Sequence, residues 1–261
     1  MSAPVAVWRR NATELLAGLV PIACILVPWY ILSAGQFVAP TLLPSPGAVF
    51  LRFFQLLGDP QFLQNVGVTL FRLFSGFGIA AVLGVLIGIL AVGSRTVGAI
   101  VKPMVRVLAP LPKIALYPAL VLTLGFDHSS KVALVVADAL FPILLATYQG
   151  AASVDPKLVW SARAAGTSQT KCLFTIVLMA ALPSILTGAR IGLVISCIVV
   201  FLAEMIMSTD GLGQVLVKAG RTFQTVDMFV PIIAISMLGL GLNGLFNLLS
   251  ARLLVGFSTR S

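Results

Sequence analysis

Charged side chains inside apolar stretches are the residues through which this sequence could do chemistry. They are Arg72, Lys113, Asp138, Arg190 and Glu204. A charge at the depth of a bilayer is costly unless it is paired or wetted, so such residues mark ion pairs or a solute route. Three of them are cations, which would give a route a positive potential that favours anions. We therefore predict that all five line a transport pathway.

The backbone around Lys113 is expected to be irregular. Pro110, Pro112 and Pro118 must bend or interrupt any helix there, and irregular backbone at membrane depth is tolerated where it faces protein or a water-filled cavity. We predict that Pro112 and Lys113 line the pathway, with a kinked but packed helix as the alternative. For Asp138, a candidate for the same pathway, we favour a buried ion pair with Lys113 or Arg190 over contact with the solute.

Enzyme chemistry has little support in this composition. The chain has one histidine, three scattered cysteines and eight acidic residues, without a cluster that suggests a metal or a nucleophile with its base. It has no Gly-x-x-x-x-Gly-Lys-Ser/Thr loop for nucleotide phosphates. We predict no catalytic residue, metal site or bound cofactor, and we expect His128 to be a solvated loop residue. The basic residues are scattered without interleaved aromatics, so nucleic acid is not an expected partner.

Composition indicates a membrane protein. Of 261 residues, 59% are apolar and 10% charged, and about 20 apolar residues cross a bilayer as a helix. The candidate spans are residues 15–32, 66–92, 104–124, 132–148, 182–207 and 228–254. We predict an all-α integral membrane protein with about six transmembrane helices in a single domain, 1–261. The first span, an N-terminal anchor helix at about 15–34, follows Arg9 and Arg10; its length favours a retained anchor over a cleaved signal peptide.

The distribution of Lys and Arg near the span ends predicts the orientation. With the N-terminus inside, ten basic residues fall in inner segments: Arg9, Arg10, Arg95, Lys102, Arg106, Lys157, Arg163, Lys171, Arg252 and Arg260. Five fall in outer segments: Arg52, Arg72, Lys131, Lys218 and Arg221. This asymmetry places both termini, and the polar loop that begins at residue 155, in the cytoplasm.

That polar loop, residues 155–175, has the signals of two short helices joined by a glycine. Asp155 is a good N-cap, and Pro156 suits the first helical position. Gly166 can end the first helix in a left-handed conformation, and Thr167 or Ser168 can cap the second. Because an ordered two-helix loop outside the hydrocarbon offers a surface to another protein, we predict a protein contact here.

The loop resembles the coupling loop of the membrane subunits of ATP-binding-cassette importers. That family's pattern is Glu-Ala-Ala, then a glycine and a proline seventeen residues later, a spacing that Gly166 and Pro183 keep. Trp160 and Ser161 depart from the usual Glu-Ala, while the next two residues fit. The resemblance assigns the following residues to ATPase coupling: Trp160, Ser161, Ala162, Arg163, Gly166, Thr167 and Ser168.

Further strings extend the resemblance over about residues 60–255. In the family's order they are Thr69-Leu70-Phe71-Arg72, Gly76-Phe77-Gly78-Ile79-Ala80, Leu111-Pro112-Lys113-Ile114-Ala115, Phe141-Pro142-Ile143, Ala203-Glu204-Met205 and Gly211-Leu212-Gly213. They are similar to the nitrate/sulfonate/taurine-type branch. The resemblance implies a type I importer permease in the bacterial inner membrane, working as a homodimer on a small anionic solute. Its implied partners are a second permease copy, a cytoplasmic ATPase dimer that holds ATP and Mg, an external solute-binding protein and membrane lipid.

Three alternatives stay open. An ion-coupled secondary transporter or channel would need acidic groups near the midplane and often an inverted repeat, for which Asp138 alone is thin support. Residues 48–57 suit either an interfacial helix or a packed connector. Gly84 and Gly88 permit close helix packing, within one subunit or between two.

Overall fold

The computed structural model describes residues 20–39 and 41–255, which are mostly helical and contain no strand. The helices are α1 (Val20–Ala34), α2 (Pro46–Leu56), α3 (Pro60–Gly93), α4 (Arg95–Leu108), α5 (Tyr117–Leu124), α6 (His128–Ala152), α7 (Pro156–Ala164), α8 (Gln169–Cys172), α9 (Leu178–Ala180), α10 (Leu182–Ile206), α11 (Leu212–Arg221) and α12 (Thr225–Leu253). A 3₁₀ turn, Lys113–Leu116, precedes α5, and a π turn, Leu173–Val177, joins α8 to α9.

Four of these helices are long and apolar enough to cross a bilayer: α3, α6, α10 and α12. A further candidate span is broken, because α4 and the segment Lys113–Leu124 meet at a bend of 87°. These elements confirm the predicted spans from residue 66 onward. The predicted anchor begins outside the described residues, and its described part, α1, is a shorter apolar helix.

Helix α6 packs along both α3 and α10 and forms the centre of the bundle. The approach to α3 is close at Gly84 and Gly88: an added Cβ would lie 2.9 Å from Cγ2 of Ile143 at the first position and 2.7 Å from Cβ of Thr147 at the second. Contacts this short leave no room for a side chain. The two glycines therefore serve packing within one chain, which was one of the two predicted alternatives.

The break between α4 and α5 confirms the predicted interruption by proline. Pro110 and Pro112 lie between the two helices and have no N–H to continue a helical ladder. The Lys113 Nζ donates to the carbonyl oxygens of Ala109, at 3.2 Å, and Leu111, at 3.3 Å. These bonds partner carbonyl groups that the missing helical turn leaves free, so one side chain stabilises the bend.

Helix α2 packs on α12, as expected for the packed connector that was one of its two predicted alternatives. The Ser45 hydroxyl caps it by accepting from the Ala48 N–H at 3.3 Å. Val49 and Phe53 are buried in an apolar cluster that includes residues of α11 and α12, whereas Phe54 on the other side is exposed. The helix is therefore a packed connector with one apolar face uncovered.

Candidate functional site

The loop between α6 and α10 is built as the sequence predicts. Asp155 Oδ1 accepts from the Lys157 N–H at 2.9 Å, and Ser168 Oγ from the Lys171 N–H at 3.4 Å, so the two residues cap α7 and α8. Gly166 has φ +84°, in the left-handed region. The Thr167 N–H bonds the Ala162 carbonyl at 3.1 Å, and the Gly166 N–H bonds the Arg163 carbonyl at 3.0 Å. This is the Schellman arrangement, and it fixes the angle at which the chain leaves α7.

Helix α7 presents large apolar side chains that nothing in the described chain covers. Leu158 is 52% exposed and Trp160 is 67% exposed, whereas Val159, between them, packs against an apolar cluster at the end of α3, the end of α6 and the start of α10. The predicted coupling residues Ser161, Arg163, Gly166 and Ser168 are also exposed. Ala162 and Thr167 are half-buried. The helix is thus held from one side and offers an apolar surface on the other.

The loop lies at the same end of the bundle as the end of α3. Gln169 Nε2 donates to the Gly93 carbonyl at 3.4 Å. The Leu173 side chain packs at Gly93, close to the place where a Cβ would be. These two contacts attach the segment after α7 to the end of α3.

Lys113 and Asp138 form an ion pair beside the break. Lys113 Nζ lies 3.2 Å from Asp138 Oδ1 and 4.8 Å from the centre of the Phe141 ring, so the ammonium has both an ionic and a cation–π partner. The predicted pairing of Asp138 is confirmed, with Lys113 rather than Arg190 as its partner. Pro112, beside the pair, is exposed.

A second ion pair, Arg72 with Glu204, is fully buried toward the end of the bundle that is opposite the α7–α8 loop. Arg72 is 1% exposed and Glu204 0% exposed, and Nη1 of the arginine donates to Oε1 of the glutamate at 2.9 Å. Arg72 Nη2 also donates to Asp210 Oδ1 at 2.5 Å, and Nε to Nδ1 of His128 at 3.1 Å. The guanidinium therefore joins α3 to α6, to α10 and to the loop that follows α10.

The Glu204 carboxylate is satisfied by further donors. The Thr69 hydroxyl donates to Oε2 at 2.9 Å and accepts from the Leu212 N–H at 2.9 Å. The Gly213 N–H donates to the same carboxylate oxygen at 3.1 Å. A buried charge of this kind is stable only when its lone pairs are occupied, which these contacts achieve. We call Thr69, Arg72, His128, Glu204 and Asp210 the buried polar network after its buried centre, Thr69, Arg72 and Glu204; the side chains of His128 and Asp210 are 39% and 42% exposed.

Three members of this network, Thr69, His128 and Asp210, were not among the predicted site residues. His128 was expected to be an isolated, solvated loop residue. The loop position is wrong, because His128 begins α6 and its Nδ1 accepts from Arg72, while its side chain is 39% exposed. Asp210 carried no signal beyond its place before the Gly211-Leu212-Gly213 string. Partial burial would raise the pKa of Asp210, but its hydrogen bond to Arg72 and the positive charge there lower that pKa overall.

Arg190 is separate from both ion pairs. Its Nε donates to Asn243 Oδ1 at 2.9 Å, and the residue is exposed. The six predicted pathway residues therefore fall into three separate places. Pro112 lies with Lys113 and Asp138, Arg72 lies with Glu204, and Arg190 lies apart from both groups.

Comparison with known proteins agrees with this geometry. The family described as "Binding-protein-dependent transport system inner membrane component" matches residues 80–255. The putative aliphatic sulfonates transport permease protein SsuC of Bacillus subtilis (strain 168) is 31% identical over 245 residues, which cover 94% of this chain and 89% of that protein. The taurine transport system permease protein TauC of Escherichia coli (strain K12) is 30% identical over 248 residues, which cover 91% of this chain and 90% of that protein.

The fold is also found among solved structures. An inward-facing structure of the MetNI methionine ABC transporter superposes with a TM-score of 0.63 at 17% identity, covering 73% of this chain and 95% of the matched chain. At that identity the likeness concerns the fold. Together with the family match and the relatives, it confirms the resemblance drawn from the ordered strings. The chain belongs to the family of binding-protein-dependent transport system inner membrane components, the permeases of ATP-binding-cassette importers.

Proposed function

We propose that two copies of this chain form the transmembrane pathway of an importer for a small anionic solute. In this proposal an external binding protein delivers the solute, and a separate ATPase dimer, which holds ATP and Mg, supplies the energy. The observation that carries it is α7: a capped helix, stopped by a left-handed glycine, that leaves Leu158 and Trp160 exposed. A helix built so firmly and yet uncovered suits a permanent protein contact.

The proposed contact is the insertion of α7 into a groove of the ATPase. Trp160 stands where the family pattern has a glutamate, so we propose that this subunit exchanges a polar contact for the burial of a large aromatic surface. When two ATPases close on nucleotide, they draw the two α7 helices together. Val159 then passes the movement to the ends of α3, α6 and α10, against which it packs.

The proposed orientation has both termini in the cytoplasm. It rests on the excess of Lys and Arg in the inner segments. The position of α7 beside the end of α3 supports it, because the same choice places α7 where a cytoplasmic ATPase reaches it.

The proposed solute route passes the break between α4 and α5. Pro112 is exposed at this break, and the ion pair of Lys113 with Asp138 lies beside it. Because Asp138 neutralises Lys113, exposed Arg190 supplies the net positive charge of the proposed route, and a positive charge favours anions. The sulfonate and taurine named for the two relatives are consistent with such a solute. Arg72 and Glu204 have almost no exposed surface, so we propose that they hold the helices in position and do not contact solute.

Co-purification of the tagged full-length chain from its native membrane tests the ATPase contact. The test variant is Leu158→Ser with Trp160→Ser, and the matched control is Leu122→Ser, a side chain 84% exposed on α5. We expect mass spectrometry to identify a cassette ATPase with the wild type and the control, and to find it depleted with the test variant. Undiminished recovery with the test variant would overturn the proposed contact. Solute uptake by vesicles that contain this chain without an ATPase would instead support a secondary transporter.

A further inference from the structure

Helix α4 carries three cations along a single line. The three cations are Arg95, Lys102 and Arg106, which are seven and then four residues apart. At about 100° per residue, Lys102 and Arg106 each point within about 20° of the direction of Arg95. All three residues are exposed. We call them the basic line of α4.

The basic line has no anionic partner in the part of the chain that the structure describes. The ion pairs found there involve Arg52, Arg72, Lys113 and His128. Lys102 instead places its Nζ 5.4 Å from the centre of the Tyr148 ring, a cation–π contact that leaves the charge open to an anion. Three neighbouring cations without a counter-charge repel one another and attract an anion from outside the chain.

A cavity of about 370 Å³ adjoins this line, between α4 and α6. Its floor is apolar, with Val101, Val105 and Leu144, and Lys102 and Arg106 stand at its rim. A second cavity, at Arg95, includes Lys102 and Tyr148 in its lining and so continues the groove along the helix. The groove therefore combines an apolar interior with positive charge at its edge.

The other exposed side of α4 is apolar. Ile100 is 61% exposed and Val107 63% exposed; at about 100° per residue they lie about 120–140° around the helix from the basic line, and Met104 lies about 180° from it. A helix with a basic side and a separate apolar side is the pattern of a helix at the boundary between lipid headgroups and acyl chains. A small water-soluble anion would use the cations but would gain nothing from the apolar side or the apolar floor.

We infer that the basic line of α4 and the adjoining cavity bind an anionic phospholipid. Its phosphate contacts Lys102 and Arg106, with Arg95 at the end of the line, and an acyl chain covers the apolar floor. Basic pockets between transmembrane helices are suited to anionic headgroups. The bound lipid would fix α4, and through Tyr148 the inner end of α6, without being transported. This inference goes beyond the proposed importer function, and its failure would leave that function standing.

Lipid titration of the full-length chain in detergent tests the inference. The thermal midpoint is measured against added phosphatidylglycerol, phosphatidylcholine or methanesulfonate. We expect phosphatidylglycerol to stabilise the wild type at a much lower mole fraction than phosphatidylcholine. Lys102→Gln with Arg106→Gln should raise the half-saturating mole fraction of phosphatidylglycerol about thirtyfold, because a basic side chain near an anionic surface contributes about 1 kcal/mol and about 1.4 kcal/mol is a factor of ten.

Two further variants keep the test decisive. Lys218→Gln with Arg221→Gln removes the same charge from exposed positions on α11 and should leave the half-saturating fraction unchanged. Lys102→Arg with Arg106→Lys keeps both charges and should retain the preference for phosphatidylglycerol. Equal stabilisation by the two lipids, an equal effect of the α11 variant, or a matching response to methanesulfonate, which would indicate a site for free anions, would each overturn the inference.

Discussion

The glycine that ends α7 offers a substitution whose cost comes from the backbone alone. Gly166 has φ +84°, and a Cβ built there meets no atom within 4 Å. An added Cβ therefore meets no steric clash. A left-handed conformation costs an L-residue about 1–2 kcal/mol, and a β-branched residue resists it more strongly. We predict that Gly166→Ala weakens the α7–α8 elbow and that Gly166→Val weakens it further, while Gly166→Asn is the mildest change because asparagine tolerates this region.

The expected consequence is a lower affinity for the ATPase. A cost of 1–2 kcal/mol corresponds to a factor of about 5–30 in an equilibrium constant. Because apparent affinity scales with the fraction of the chain in the competent conformation, Gly166→Val should weaken ATPase binding by up to that factor. The assay is the dissociation constant of the purified ATPase for the chain held in nanodiscs, with folding checked by the thermal midpoint.

Gly125 provides a matched control for backbone strain. It also has a positive φ, +87°, and open space at its Cβ, but it ends α5, a different helix from α7. Gly125→Val should lower the thermal midpoint without a specific loss of ATPase affinity. Wild-type affinity in a folded Gly166→Val chain, or an equal loss in Gly125→Val, would refute the reasoning.

Three further predictions concern the ion pairs. Arg72→Met should lower the free energy of unfolding by about 3–5 kcal/mol because it leaves Glu204 charged and buried, and denaturant titration showing a loss below about 1 kcal/mol would contradict the burial. Asp227→Asn removes an ion pair with Arg52 that is partly exposed, so the same titration should show a loss of at most about 1 kcal/mol; a larger loss would contradict a surface role. Arg72 lowers the pKa of Asp210, so the negative charge of Asp210 stabilises the fold at any pH above the ordinary aspartate pKa of about 4. This contribution is lost as the pH falls through the lowered pKa of Asp210. The difference in thermal midpoint between wild type and Asp210→Asn should therefore shrink in acid, and a constant difference would contradict the sign.

Local rules were sufficient for the loop that carries the proposed coupling function. The N-caps at Asp155 and Ser168 and the left-handed Gly166 depend on residues a few positions apart, so their types and spacing predict them. The bend near Pro112 was predictable for the same reason. Membrane spans follow from long apolar runs, whose lengths the bilayer dictates.

Local rules could not predict which residues bond one another in the buried polar network. Arg72 bonds residues 56, 132 and 138 positions away, and nothing local connects α3 with those places. A buried charge predicts that a partner exists but not which of several carboxylates it is. His128 shows the limit most clearly: its sequence neighbours suggest a loop, and only the fold brings its Nδ1 to the guanidinium of Arg72.

The start of α4 shows a different limit. The predicted span begins at residue 104, whereas the helix begins at Arg95. Arg95 and Lys102 lower the hydropathy of the first turns, so a search for apolar runs misses them. An amphipathic helix is recognised by the side on which its charges lie, and here that side carries the basic line.

Photo-cross-linking from position 160 in intact cells tests the central claim most directly. A benzoylphenylalanine replaces Trp160 in the full-length chain. The control places the same residue at Leu122 on α5, which is 84% exposed against 67% for Trp160. The proposed function predicts an adduct with a cassette ATPase, identified by mass spectrometry, from position 160 and none from position 122. The absence of an ATPase adduct at position 160, in an importer that still takes up its solute, would contradict it.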